Sequence, residues 1–318
     1  MSTAAKVPET WKLTGDDARK TLVATGRLNL VKDAFVRLRA ADGFSHARSL
    51  AFVTSLVLVQ GLVALVGFTV LFGDLRVSKE VIQAIQASFP GPVGTLLTDA
   101  VAQARKVGGQ ERYLPLLVGL AGTIVTGTTA MGQIERGFNR IYGIEQDRPV
   151  LRKYGRAFLL AIGAGSVLAC NFLVFTWGRG NGATNDLLGA TSPLVRWPIA
   201  LIVAGLALAA MLRFAPFRRQ PAWSWLAFGA AFCVVGWALV TLMLGILLQV
   251  STSFGDTYGP LAGVVALQLW ALFSAIAIFF GAAVAAQLEA VRAGAPKPRE
   301  EPARESQPER EARASYAS

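Results

Sequence analysis

Long uncharged apolar runs alternate with short charged stretches along this chain. Six runs stand out, over about 49–72, 113–134, 157–178, 194–212, 222–250 and 260–288. A helix rises 1.5 Å per residue, so roughly 20 such residues cross the ~30 Å hydrocarbon layer of a bilayer. The pattern predicts an all-α fold, a polytopic membrane helical bundle of six transmembrane helices. The fourth run carries Arg196 near one end, where its side chain can snorkel to the interface beside Trp197. The apolar stretch Val81–Thr98 is not counted, because Pro90-Gly91-Pro92 divides it into halves too short to span. It reads as an outer amphipathic segment, 78–106, formed of two short helices on the outer face, with a re-entrant hairpin as the alternative.

The flanks differ in pattern. Residues 1–26 are polar, and no cleavable signal is expected, because the first apolar run begins late and is long. Val31, Ala34, Phe35 and Leu38 follow helical spacing among Lys32, Arg37 and Arg39. Residues 27–48 therefore read as a basic amphipathic interfacial helix feeding the first span. Residues 291–318, with four prolines from Gly294 onward and charges of both signs, read as a disordered cytoplasmic tail.

Charge turns the span count into a topology. The formal net charge is +11, from 31 Lys+Arg against 20 Asp+Glu. That excess alone is compatible with nucleic-acid binding, but its location is not. With the N-terminus inside, 24 of the 31 Lys and Arg fall on the cytoplasmic side and 7 outside. This bias supports both ends in the cytoplasm and an even number of spans. The basic residues read as topology signals that touch anionic head groups, with membrane lipids as partners and no nucleic acid. Only 16% of residues are charged, against about 25% in soluble domains. Cys170 and Cys233 both lie in apolar runs and suggest neither a disulfide framework nor a metal site.

No ionisable residue falls near a span midplane, so no buried proton path is expected. Uncharged polar residues do occur there. Thr and Ser ordinarily bond to their own or neighbouring helices. Gln60, Asn171 and Gln268 are the candidates for a polar seam facing a polar or amphiphilic substrate, because a buried amide needs several partners. Gly259/Gly263 and Gly281/Ala285 have the spacing that permits close helix approach. After the second span, Glu135 and Asn139 lie four apart on one helix face and predict a hydrogen-bonded hub. Arg136 and Arg140 are also four apart and predict a paired cationic site for a lipid phosphate or another anion.

The segment Gly132-Gln-Ile-Glu-Arg-Gly-Phe-Asn-Arg-Ile-Tyr-Gly143, followed by Arg148-Pro149, resembles a signature of the YihY/BrkB family of bacterial inner-membrane proteins. A second match runs from Thr257-Tyr258-Gly through Trp270 to Ser274 and Gly281-Ala282, and Ala47–Phe52 is similar to the family's entry to its first span. The likeness covers roughly residues 30–290. It adds Arg148 and Tyr258 to Glu135 and Asn139 as hub candidates. It departs at Ala283, where the family often has an acidic residue, at Pro260 in place of Ser, and in a first span without Pro.

The resemblance implies a six-span inner-membrane protein linked to serum resistance and to export of lipid or envelope components. The family's older name is ribonuclease BN. With His46 as the sole histidine and no P-loop or G-x-S-x-G elbow in a hydrolase context, no catalytic residue, metal or cofactor is assigned. Two further readings stay beside lipid handling: a non-transporting scaffold with an envelope protein partner or homo-oligomer, and a membrane-bound enzyme.

Overall fold

The computed structural model describes residues 3–71, 82, 92–110, 113–180, 193–250 and 261–300. Its helices are α1 (Gly15–Thr25), α2 (Arg27–Ala40), α3 (Gly43–Leu71), α4 (Pro92–Gln110), α5 (Leu114–Ile141), α6 (Val150–Gly180), α7 (Pro193–Phe214), α8 (Trp223–Val250) and α9 (Ala262–Arg292). Among the described residues four helices are long and apolar enough to cross a membrane, over Gly43–Phe68, Leu114–Ile141, Trp223–Leu248 and Ala262–Arg292. Pro198–Phe214 is a shorter apolar helix. Helices α6 and α7 occupy the positions of the third and fourth predicted spans.

Helices α3, α5, α6, α7, α8 and α9 each pack on the next, and α9 returns to α3, closing a ring. Helix α9 is the most enclosed: 61% of its most apolar stretch is buried, against 22% for α3, 17% for α5 and 11% for α8. Small residues set the tightest crossings. A Cβ on Gly119 would lie 2.7 Å from Ala64 Cα, and one on Gly67 2.6 Å from Leu116 Cα, so α3 and α5 meet backbone to backbone. On α9, Gly281 and Ala285 both face Gly229 of α8, where a Cβ on Gly281 would lie 2.6 Å from the Gly229 carbonyl oxygen. Gly259 of the other predicted pair lies outside the described residues.

The flanking segments depart from the sequence reading. The polar start contains α1, whose first turn is fastened where the Asp17 carboxylate accepts from the Thr14 amide at 3.1 Å and hydroxyl at 3.0 Å. The predicted interfacial helix 27–48 is two helices, because the chain turns at Asp42 with φ 55, a left-handed conformation that Asp tolerates. Its buried face is Leu30, Ala34, Arg37 and Leu38, while Val31 and Phe35 are exposed. Among the described residues the outer segment forms the 19-residue helix α4, starting at Pro92 as the Pro-Gly-Pro break requires, while 78–81 and 83–91 lie outside the described residues. It buries Val93, Leu97, Val101 and Ala104 in a small core with Val66, Ala266 and Leu267. Of the predicted disordered tail 291–318, residues 291–292 end α9 and 293–300 are ordered, and 301–318 lie outside the described residues. The Ala5 amide donates to Pro298 O and the Glu300 amide to Thr3 O, so the two described ends of the chain run side by side.

Candidate functional site

The end of the bundle where α3 begins and α5 and α9 finish carries a buried polar hub. Four-residue spacing puts Glu135 and Asn139 on one face of α5, and both are buried. Arg148 reaches Glu135 at 3.1 Å and also donates to the carbonyls of Ala215 at 2.9 Å and Pro216 at 2.8 Å. Its guanidinium stacks over Phe217 with 4.9 Å to the ring centre. Asn139 accepts from the Phe217 amide at 2.7 Å and donates to Asp147 at 3.4 Å. The hub candidates Glu135, Asn139 and Arg148 therefore tie α5 to the 142–149 turn and the 215–217 loop. Tyr258 lies outside the described residues.

Asp147 meets Lys153 at 2.6 Å and Arg136 at 4.0 Å. Burial alone pushes its carboxyl up, but Lys153, the Asn139 amide and Arg136 together hold it below the usual range. A depressed carboxyl contributes stability above its unfolded value and loses it as pH falls through the folded one. Asp147→Asn is thus expected to flatten the fall of the thermal midpoint below about pH 4, measured over an acid series.

A second cluster escaped sequence reading. Arg218 and Glu289 form a 2.7 Å ion pair with side chains only 3% and 0% exposed. Glu289 also accepts from the Thr10 hydroxyl at 2.5 Å and amide at 3.2 Å, and Arg218 donates to Pro8 O at 3.0 Å. Arg218 stacks on Tyr142 at 4.7 Å. Fully buried Arg37 donates to Gln287 at 2.8 Å, to Ala5 O at 2.7 Å and to Ile141 O at 3.3 Å. Burial pushes the Arg37 guanidinium down to about 10. The N-terminal segment thus crosses the ends of α2, α5 and α9 as a strap. In the sequence Arg37 and Arg218 look like topology charges, and Glu289 falls one residue past the predicted end of the sixth span. Their partners are up to 279 residues away, so local spacing carries no signal for them.

The predicted polar seam divides. Gln60 accepts from Thr126 at 3.0 Å, joining α3 to α5, with Gly122 leaving room for its amide. Gln268 accepts from Ser55 at 3.1 Å, joining α9 to α3. The two amides therefore serve different helix contacts. Asn171 lies on α6, but its side chain is outside what the structure describes. Arg136 is half exposed, and Arg140 is half-buried and engaged. The charges of both act on His46, together with those of Asp42 and Asp147.

Gln268 also lines a groove of about 450 Å³ between α3 and α9, with Arg48, Ala51, Val264, Val265, Leu269 and Leu272. Among the described residues no three His, Cys, Asp or Glu side chains are grouped to hold a metal ion.

A ring of apolar helices with its buried charged groups gathered at one end is the build of a multi-pass membrane protein. The chain belongs to the virulence factor BrkB family, whose description matches residues 34–307. It is 22% identical over 271 residues to the ribonuclease-like protein YfkH of Bacillus subtilis (strain 168), covering 82% of this chain and 95% of that one. It is 29% identical over 261 residues to UPF0761 membrane protein azo3165 of Azoarcus sp. (strain BH72), covering 77% of this chain but only 59% of that relative's length. No solved structure matches.

Proposed function

We propose that this chain is a six-span protein of the bacterial inner membrane, with both ends in the cytoplasm, that handles an amphiphilic envelope component such as a lipid. One observation carries the reading: the lateral groove between α3 and α9, with apolar walls and a cation at one end. Such a surface suits a long apolar molecule with a polar head better than a water-soluble solute. The adjacent chain ends support the topology, since both lie on one side of any membrane the bundle crosses and the crossings are then even in number. The Lys and Arg bias puts that side in the cytoplasm.

The test is mass spectrometry of lipids that co-purify with the detergent-extracted protein. Stoichiometric enrichment of one lipid class over the bulk membrane is expected, and a profile matching the bulk overturns the reading. Arg136 and Arg140 form a second anion-binding candidate beside His46. Basic residues at an anionic surface contribute about 1 kcal/mol each, so Arg136→Gln with Arg140→Gln is expected to weaken binding to anionic vesicles by roughly thirtyfold. Unchanged binding in a stable double variant removes these two arginines from the proposal.

A scaffold role has one observation in its favour: the strap and the ion pairs lock the terminus-bearing end into a fixed platform. A stoichiometric protein partner in cross-linked membranes, with no lipid enrichment, selects that reading. Ribonuclease chemistry forms no part of the proposal. The name of the Bacillus relative belongs to that protein, and His46 here sits against the Phe279 ring, with 6.3 Å between ring centres.

A further inference from the structure

We infer that the α3–α9 groove binds one anionic phospholipid from the leaflet beside the chain ends, with its phosphate on Arg48 and an acyl chain along Leu272, Leu269 and Val265. The inference rests on the amphiphile-handling reading and names its ligand.

Arg48 differs from the arginines at this end of the bundle that are engaged by protein groups. Arg37, Arg148 and Arg218 are committed to carboxylates, amides or carbonyls, and Arg213 donates to Pro221 O at 2.6 Å. Arg48 is exposed and has no hydrogen-bond or ion-pair partner among the described residues. Among the described residues it is the one charged side chain lining the groove. A guanidinium is suited to phosphate, which it can grip through two parallel hydrogen bonds.

The positions around it extend the head-group site. Ser45, Arg48, Ser49 and Phe52 recur at spacings of three and four, so they share one face of α3. Ser49 and Phe52 are exposed and Ser45 half-buried. Two hydroxyls therefore flank the guanidinium, and the exposed ring of Phe52 stands where head groups meet hydrocarbon. Helix α3 starts at Gly43, so its positive dipole end lies on the same side as the phosphate.

Beyond Arg48 the groove turns apolar. From Leu272 to Val264 the wall runs eight residues of α9, about 12 Å. The Gln268 carbonyl oxygen on this wall already accepts from Ser55, so it asks little of an acyl chain. Charge decides between lipid classes. A zwitterionic lipid brings an ammonium toward a single cation, whereas phosphatidylglycerol brings only its phosphate. The end of the groove bearing Arg48 is the end where both described chain termini lie, which fixes the leaflet.

The full-length protein is reconstituted in nanodiscs containing phosphatidylglycerol and phosphatidylcholine, and retained lipid is counted by native mass spectrometry. Wild type is expected to retain phosphatidylglycerol selectively. Arg48→Gln is expected to lose that selectivity by about tenfold, the effect of one charge-assisted contact worth roughly 1.4 kcal/mol. Val265→Trp, which places a ring in the groove from a half-exposed position, is expected to lower retention of both lipids. Arg152→Gln, an equally exposed cation on α6, is expected to match wild type. Selective retention that survives both Arg48→Gln and Val265→Trp overturns the groove site while leaving lipid handling intact. No selective retention by wild type overturns both. An unchanged thermal midpoint for Arg48→Gln confirms that the variant is folded, as its exposure requires.

Discussion

Glu289→Ala is expected to lower the stability of the detergent-solubilised protein by about 3–5 kcal/mol, the cost of leaving a buried charge without its partner. Arg218 stays enclosed by Tyr142, Pro8 and the 215–222 loop, and its Nε and Nη1 already lack protein partners. It has no route to water without lifting the strap. The same substitution removes both anchors of Thr10, so the N-terminal segment is released from α9.

Two readouts separate these effects. The thermal midpoint reports the loss of the pair. Limited proteolysis reports release of residues 3–14, and the variant is expected to be cut there while wild type resists. Removing both partners, with Arg218→Met and Glu289→Leu, is expected to recover a large part of the loss, since the desolvation penalty disappears with the charges. If each single variant costs under 1 kcal/mol, the pair is solvated and the strap is not a closure.

The contrast between this pair and the Glu135 hub marks what a sequence reveals of such a fold. Glu135 and Asn139 were legible because four-residue spacing on one helix puts them on one face, whatever the helix packs against. Arg218 and Glu289 meet through tertiary folding alone, across 71 residues of chain. The four helices long and apolar enough to cross a membrane were legible for a similar local reason: absence of charge over about 20 residues is a property of the segment itself. Which side of a helix faces protein was not. Val31 and Phe35 fit the apolar spacing of α2, yet the structure exposes them and buries Leu30 and Arg37 instead. Lipid and protein interior are both apolar, so hydropathy does not choose between them. The partners of the seam amides were not legible either: Gln60 accepts from α5 and Gln268 from α3, while the Asn171 side chain lies outside the described residues. The groove itself was invisible, because its walls come from helices more than 200 residues apart and are marked only by ordinary Val and Leu.

Gly119→Ala and Gly132→Ala, two identical substitutions on α5, are expected to have opposite outcomes. In a helix interior Ala is intrinsically better than Gly by roughly 0.5–1 kcal/mol, because it loses less backbone freedom on folding. At Gly132 nothing lies within 4 Å of an added Cβ, so that preference acts alone and the thermal midpoint should hold or rise. At Gly119 the added carbon would overlap the Ala64 backbone, 2.7 Å from its Cα, and 2.9 Å from the Val63 carbonyl carbon. Backbone atoms of a packed helix cannot swing aside as a side-chain tip can, so α3 and α5 must separate. This contact is among the broadest in the bundle, and α3 also carries Gln60 to Thr126 and one wall of the groove. The expected cost is about 3 kcal/mol, the upper end of the range for overpacking. Thermal unfolding in detergent, followed by size-exclusion recovery, distinguishes the two. Equal midpoints for both variants would mean that α3 and α5 are not in backbone contact, and the interhelical Gln60–Thr126 bond would lose its support as well.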